Sequence, residues 1–303
     1  MILFNINCGT LITTLFHIYY LCKSTKNIFI TKTQQTMNLF KAIFGGGKEI
    51  SQEEKKREEE KKQFDILKYD GIRAMKAGQT EYAIKCLDHA LTLCDDLECH
   101  DYLWQAYFHQ GNMTEAYQQL HILADAQPDN DKILLQMAHV CYLMEDYVAM
   151  SEVCEKVLLI DDTNTLARYF YALACNAQGD TSNAIAMLTK CITLNPDYFD
   201  AHLLRGDIYR KAGNLQEAKD DVSWLLENTG GSEDVFLLAA RTASAENDYT
   251  NAEKHYSQVI ELNPFHIDAL RERASVRKEL GDVQGGTEDL QLVDELKSRV
   301  EAS

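Results

Sequence analysis

The sequence predicts an all-α fold, an α-solenoid of about seven helix-turn-helix units, and three regularities carry that prediction. All three prolines, Pro128, Pro196 and Pro264, lie 68 residues apart, which is twice 34. Residues 192–196 and 260–264 have nearly the same sequence, ITLNP and IELNP. Small residues recur in the same 34-residue register. A fixed period of roughly 20 to 50 residues is typical of repeat architectures.

Alignment on the prolines divides residues 64 to about 300 into seven units, which begin near 64, 97, 131, 165, 199, 233 and 267. The eighth position of each unit is mostly small and carries Gly71, Trp104, Ala138, Ala172, Gly206, Ala240 and Ala274. The position twelve residues later is also mostly small and carries Ala83, Ala116, Met150, Ala184, Ala218, Ala252 and Gly286. Two antiparallel helices approach closely only where side chains are small, so each unit is expected to be a helical hairpin.

The turn inside each unit carries Gly78, Gly111, Glu145, Gly179, Gly213, Asn247 and Gly281. Glycine there admits the left-handed conformation that ends a helix, and asparagine tolerates it. This combination of small positions, turn and proline resembles the tetratricopeptide repeat family over residues 64 to about 300. The resemblance implies a right-handed superhelix in which neighbouring units share one core.

Residues 1–36 differ from the rest, since they hold three lysines, no arginine and no acidic residue. The apolar run 11–22 is shorter than the roughly 20 residues of a spanning helix. Three interpretations are open: a non-native extension with Met37 as the true start, an atypical membrane anchor, or a disordered tail.

Residues 37–63 are predicted to hold an apolar segment, a hinge at Gly45–Gly47 and a charged helix that leads into the repeats. Ser51 and Glu54 form the pattern of a capping box. The charged run offers four i,i+4 pairs, Glu53–Arg57, Lys55–Glu59, Lys56–Glu60 and Glu58–Lys62. We expect a solvated lead-in helix here, followed by the solenoid over residues 64–303.

The seventh unit departs most from the pattern. Gly285 and Gly286 lie in its second helix, and Asp289 stands where the other units have an apolar residue. Glycine inside a helix costs about 1 kcal/mol relative to alanine. The sequence therefore predicts a terminal cap with a polar outer face.

Charge and cysteine usage exclude several classes of function. The net charge of −17 repels phosphate backbones, so nucleic acid is not an expected partner. Nine cysteines, an odd number with no Cys-x-x-Cys pair, favour a reduced compartment with buried thiols and predict no metal site. No phosphate loop, dinucleotide fingerprint or catalytic spacing is present, so we expect no enzyme activity and no cofactor.

The resemblance implies that positions 2, 5, 6, 9, 12 and 13 of each unit face a concave groove that binds peptides. The groove set predicted in this way is Tyr102, Gln105, Phe108, His109, Lys132, Gln136, His139, Tyr142, Tyr169, Phe170, Leu173, Asn176, Asp207, Arg210 and Arg241. Its middle is aromatic and apolar, as binding surfaces tend to be. The alternative is that several of these rings pack against neighbouring helices and meet no ligand.

One subtype of the family uses a clamp of two lysines, two asparagines and an arginine to hold the acidic C-termini of heat-shock chaperones. At the matching positions stand Lys68, Ile72, Tyr102, Lys132 and Gln136. The lysines fit, but without the other three side chains a peptide carboxylate loses most of its hydrogen bonds. A chaperone-tail adaptor is therefore not expected.

The sequence thus predicts a non-catalytic cytoplasmic scaffold or adaptor that holds a protein or peptide in its groove. Two alternatives remain open. One is an assembly factor anchored to a membrane through residues 1–36, the only segment for which we consider membrane contact. The other is an accessory or regulatory subunit of an enzyme complex.

Overall fold

The computed structural model describes residues 51–301, and this part of the chain is helical with no strand. Fourteen helices form seven pairs in this range. The first helices of the pairs are α1 (Gln52–Lys76), α3 (Leu97–His109), α5 (Asp131–Leu143), α7 (Thr165–Ala177), α9 (Phe199–Lys211), α11 (Glu233–Ala245) and α13 (Ile267–Glu279). The second helices are α2 (Thr80–Leu93), α4 (Met113–Ala126), α6 (Tyr147–Ile160), α8 (Thr181–Leu194), α10 (Leu215–Thr229), α12 (Tyr249–Leu262) and α14 (Val283–Glu301).

The 34-residue register predicts the helix starts. The first helices of pairs two to seven begin at residues 97, 131, 165, 199, 233 and 267, as the proline alignment predicts. Each of these six helices is 13 residues long. The prediction of an all-α solenoid with seven units is confirmed.

The turn inside every pair is left-handed at the predicted position. The φ angles there are +72° at Gly78, +79° at Gly111, +57° at Glu145, +81° at Gly179, +82° at Gly213, +62° at Asn247 and +85° at Gly281. A side chain disfavours this region, and only asparagine and aspartate tolerate it readily. Glu145 therefore holds a conformation that five of the seven units leave to glycine.

The small positions are the places where the helices of a pair meet. Among their alanines, Ala83, Ala138, Ala184 and Ala240 are fully buried. A Cβ atom added to Gly71 would lie 2.7 Å from the Leu87 side chain, closer than real Cβ contacts. The small residues at these sites therefore allow the two helices of a pair to pack closely.

The core is shared between neighbouring pairs. From α2 to α14 each helix packs on the next helix in the chain, and α5 also contacts α7 as α9 contacts α11. The largest cluster of buried side chains extends from Leu120 in α4 through α5 and α6 to Ala174 in α7. No pair buries its apolar residues alone, as expected for a repeat array.

The start of α1 carries the predicted cap. The Glu54 N–H donates to Ser51 Oγ at 3.1 Å, and the Ser51 N–H donates to Glu54 Oε2 at 2.9 Å. Of the four i,i+4 pairs predicted in the charged run, only Lys56–Glu60 is formed, at 3.7 Å. The expectations for residues 1–36, Met37 and the Gly45–Gly47 hinge lie outside the described residues. A compact unit begins at Gln63, inside α1.

The seventh pair corrects one expectation about its second helix. Asp289 does not replace the apolar residue of the other units, because that position is filled by the half-buried Leu290. The carboxylate of Asp289 is instead buried against arginines. A Cβ on Gly286 would lie 2.9 Å from the Ala274 carbonyl oxygen, so this glycine is required for the close packing of α13 and α14.

Candidate functional site

The predicted groove residues all lie on first helices, from α3 to α11, and none of them is buried. Tyr142, His109, His139 and Lys132 are exposed, and the others are half-buried. Their repeat positions therefore leave part of every side chain accessible on the first-helix surface.

Aromatic rings form a contiguous row on this surface, which we call the aromatic ladder. The ladder consists of Trp104, Phe108, His139, Phe170, Tyr169 and Tyr198. Successive ring centroids lie 6.2, 5.7, 6.2, 6.4 and 5.3 Å apart in that order. These distances are typical of favourable ring pairs, which prefer about 4.5–7 Å. The ladder begins on α3, crosses α5 and α7, and ends in the turn before α9.

Most rings of the ladder contact the core on one side of the first-helix surface. Phe108, Phe170 and Leu173 pack against the largest core cluster, and each of them keeps part of its surface accessible. His139 is exposed, and its ring is stacked on Phe170 at an interplanar angle of 8°. Burial, followed by the nearby charge of Asp200, raises the pKa of Tyr169 to about 12. The ladder is thus anchored in the core on one side and open on the other.

Three charged groove residues, Asp207, Arg210 and Arg241, have partners in the chain. Asp207 accepts from Arg210 and Lys211, each at 2.7 Å. Burial alone would raise the pKa of Asp207, but these cations lower it below its usual value. Arg241 on α11 donates two hydrogen bonds to Glu272 on α13, both of 2.8 Å. Arg241 therefore links pair six to pair seven, whereas Arg210 is paired within its own helix.

The contacts of Lys68 argue further against a clamp for the acidic C-termini of chaperones. Lys68 Nζ lies 2.9 Å from Asp96 Oδ1 and 2.7 Å from Glu98 Oε2. Burial alone would lower the pKa of Lys68, but hydrogen bonds and charges of the two carboxylates raise it. One of the two matching lysines is thus already neutralised by the chain itself.

Two buried charge clusters were missed by the sequence analysis. Asp221 is 2% exposed; it accepts from Arg205 Nη2 and Nε at 2.7 and 2.9 Å, and its Oδ1 lies 2.7 Å from His202 Nδ1. The seventh pair repeats the arrangement with Arg273 and Asp289. In both pairs the arginine precedes the aspartate by 16 residues. That shared spacing is the signal from which the clusters could have been found.

A second contact recurs between residues 19 apart, joining the two helices of a pair. His100 meets Gln119 at 2.6 Å, His202 meets Asp221 at 2.7 Å, and the Phe236 ring stacks on His255 at a centroid distance of 6.2 Å. Neither position belongs to the groove set. These contacts join the two helices of a pair.

Most of the cysteines in residues 51–301 are buried, and Cys94 is exposed. Burial raises the pKa of Cys141 and Cys154 to about 12, and that of Cys191 to about 11. Protonated thiols are poor nucleophiles and poor metal ligands. No cluster of three His, Cys, Asp or Glu side chains suited to a metal ion is found in this range. Nor does any helix of the range have the length and apolar composition that crossing a membrane requires.

Comparison with known proteins agrees with the repeat geometry. Two profiles described as "Tetratricopeptide repeat" match residues 176–241 and 233–266. The chain is similar to DnaJ homolog subfamily C member 3 of Mus musculus, with 23% identity over 218 residues. The match covers 67% of this chain and 36% of that protein, so the chain spans about a third of the relative's length.

Solved structures show the same fold at low identity. A tetratricopeptide repeat protein from Parabacteroides merdae superposes with a TM-score of 0.63 and 13% identity, covering 78% of this chain and 93% of that chain. YrrB, described as a TPR protein with an unusual peptide-binding site, superposes with a TM-score of 0.50 and 13% identity. That match covers 59% of this chain and 92% of YrrB.

Paired helices, left-handed turns and a core shared between pairs define an α-solenoid of the protein-interaction class. The profile matches show that residues 176–266 consist of tetratricopeptide repeats, a kind of repeat that generally binds protein or peptide partners.

Proposed function

We propose that this chain is a non-catalytic scaffold that holds a segment of a partner protein or peptide against the aromatic ladder. The ladder is the observation that carries the proposal. Exposed rings that are fixed by the core beneath them provide contact area at low entropic cost, which is the usual property of binding hot spots.

The arrangement of charges supports the same surface. Asp207 and Arg241 are already paired within the array, so a ligand would meet mainly rings and leucines between them. A strip in which aromatic and apolar side chains predominate favours a peptide segment that carries apolar residues. The similarity to YrrB is consistent with this proposal, because that protein is described as having a peptide-binding site.

We further infer that the scaffold works in a reduced compartment, most simply the cytoplasm, because an odd number of cysteines is a poor basis for a disulfide framework. The membrane-anchored alternative concerns residues 1–36, outside the described residues. A role as the accessory subunit of an enzyme complex would use the same surface for its partner.

Site-specific photocrosslinking tests the proposal in the full chain. A photoreactive benzoylphenylalanine replaces His139 in the ladder or, as the matched control, Tyr82 on α2, which is 54% exposed. We expect partner proteins to crosslink from position 139 and not from position 82. Equal crosslinking from both positions, or crosslinking from position 82 alone, would contradict binding at the ladder.

A further inference from the structure

A cavity of about 270 Å³ lies beside the end of the aromatic ladder, between the first helices of pairs four, five and six. Its apolar lining includes Leu203, Leu204 and Leu237, which are half-buried, and the ring of Tyr169. Small-molecule sites usually measure about 300–1,000 Å³, so this cavity is better suited to one side chain of a bound peptide.

The charges around this cavity do not cancel. Its lining holds three carboxylates, Asp200, Asp207 and Asp234, and one guanidinium, Arg241. Asp207 is neutralised by Arg210 and Lys211, and Arg241 is neutralised by Glu272. Within the described part of the chain, no basic side chain pairs with Asp200 or Asp234. Asp200 and Asp234 therefore lie at the rim of an apolar cavity without an ion pair of their own in residues 51–301.

Both carboxylates lie at the N-terminal end of a helix. Asp200 lies in the first turn of α9 and Asp234 in the first turn of α11. The partial positive charge at a helix N-terminus stabilises a negative side chain in that turn. The two aspartates occupy the same place in successive repeats, so they present two negative charges to anything that fills the cavity between them.

We propose that the cavity receives an arginine or lysine side chain of the partner segment, with apolar residues of that segment packing on the ladder and the leucines. The inference rests on the proposed function, because it takes the ladder as the surface that holds the segment. An aliphatic stem would lie on the leucines, and the cationic head would reach the two carboxylates. The preferred partner is then basic and apolar, the reverse of the acidic tails bound by the clamp subtype.

Selection of random peptides displayed on phage, with the full chain as bait, tests this specificity. We expect the selected peptides to be enriched in arginine or lysine flanked by apolar residues. The best peptide is then synthesised with its basic residue replaced by citrulline, which keeps the shape of arginine without its charge. The exchange should weaken binding at least about fivefold, as measured by fluorescence anisotropy.

The matched variants identify the carboxylates that are responsible. The double variant Asp200→Asn/Asp234→Asn should lose the preference for the charged peptide. Asp268→Asn changes the equivalent first-turn acid of α13, outside the cavity lining, and should keep the preference. All three side chains are exposed, so thermal unfolding should be almost unchanged in each variant.

Two failures are distinguishable. Selected peptides that depend on Phe170 but show no basic enrichment, or that bind the double variant as they bind the wild type, would overturn the charged cavity and leave the scaffold intact. If no peptide is selected, or if binding is insensitive to Phe170→Ala, the proposed function fails and this inference fails with it.

Discussion

The guanidinium of Arg273 and the carboxylate of Asp289 are joined by two hydrogen bonds, Nη2–Oδ1 of 2.7 Å and Nε–Oδ2 of 3.0 Å. Asp289 also accepts from Arg277 Nη1 at 3.1 Å, and only 4% of the residue is exposed. One carboxylate of α14 thus bridges two arginines of α13, and Arg277 also pairs with Glu253 on α12 at 3.0 Å.

Replacing Asp289 by alanine should therefore destabilise the solenoid. Breaking a buried ion pair from one side costs roughly 3–5 kcal/mol, and we expect about 3 because the two arginines keep some access to solvent. The loss is measured as the free energy of unfolding in urea. Asp268→Ala removes the exposed pair with Arg271 and should change stability little; equal losses in the two variants would refute the role of burial.

Glu145→Gly should stabilise the protein. Glu145 has a φ angle of +57°, where a side chain costs roughly 1–2 kcal/mol. We expect a gain of about 1 kcal/mol, because glycine also has more freedom to lose on folding. Gly179→Ala is the reciprocal control, since its added Cβ would contact nothing within 4 Å and only the backbone effect remains. A lower melting temperature for Glu145→Gly would contradict the prediction.

Gly286→Ala should destabilise the protein, although alanine has the higher helix propensity. The added Cβ would lie 2.9 Å from the Ala274 carbonyl oxygen, which is backbone and moves only with α13. Overpacking of this kind costs about 1–3 kcal/mol. Thr287→Ala, at the exposed neighbour, should change the melting temperature little. If Gly286→Ala were neutral or stabilising, the close approach of α13 and α14 would not be required.

The Arg241–Glu272 link should make stability depend on pH. Burial alone would raise the pKa of Glu272, but hydrogen bonds from Arg241 and Tyr256 lower it below 4.5. The folded-state pKa is lowered, so the stabilisation is present above pH 4.5 and is lost as the pH falls through the folded-state value.

Glu272→Gln should accordingly reduce the free energy of unfolding at neutral pH, and the difference from wild type should shrink in acid. Urea unfolding at a series of pH values measures this. Glu261→Gln changes an exposed glutamate that has no ion pair in residues 51–301, and it should follow the wild-type curve. A difference between wild type and Glu272→Gln that stays constant with pH would exclude the link as its cause.

Tyr169→Ala combined with Phe170→Ala should abolish capture of a partner while the chain remains helical. Both rings lie in the ladder and are half-buried, so we also expect a lower melting temperature. Circular dichroism and pull-down of a partner identified by crosslinking measure the two effects. Tyr82→Ala on α2 should retain capture. Unchanged capture by the double variant would remove this segment from the binding surface.

The architecture could be predicted from the sequence because the same pattern of small residues and turn residues recurs in seven units. The period predicts the starts of the first helices of pairs two to seven and the positions of the left-handed turns. The turn position of Glu145 follows from the same period. Backbone geometry of this kind depends on small residues at fixed spacing, which a single sequence displays directly.

Side-chain pairing was harder to predict, since it depends on which rotamers the packed helices allow. Asp221 carried no signal of its own in the sequence and Asp289 was expected in a cap with a polar outer face, so their burial became visible only with the arginines beside them. The groove set follows from repeat position alone. Repeat position does not reveal that Arg241 is paired with Glu272, or that Asp200 and Asp234 are unpaired within residues 51–301. Those differences decide what the surface would attract.

The contact between residues 19 apart has a consequence for how such a chain can change over time. One location is occupied by a histidine–glutamine hydrogen bond in pair two, a histidine–aspartate contact in pair five and a ring stack in pair six. In each case the contact joins the first and second helices of its own pair, and none of the residues belongs to the groove set. Substitutions at this location can therefore change the contact between the two helices of a repeat without changing its groove residues. Stability and partner recognition can then evolve independently.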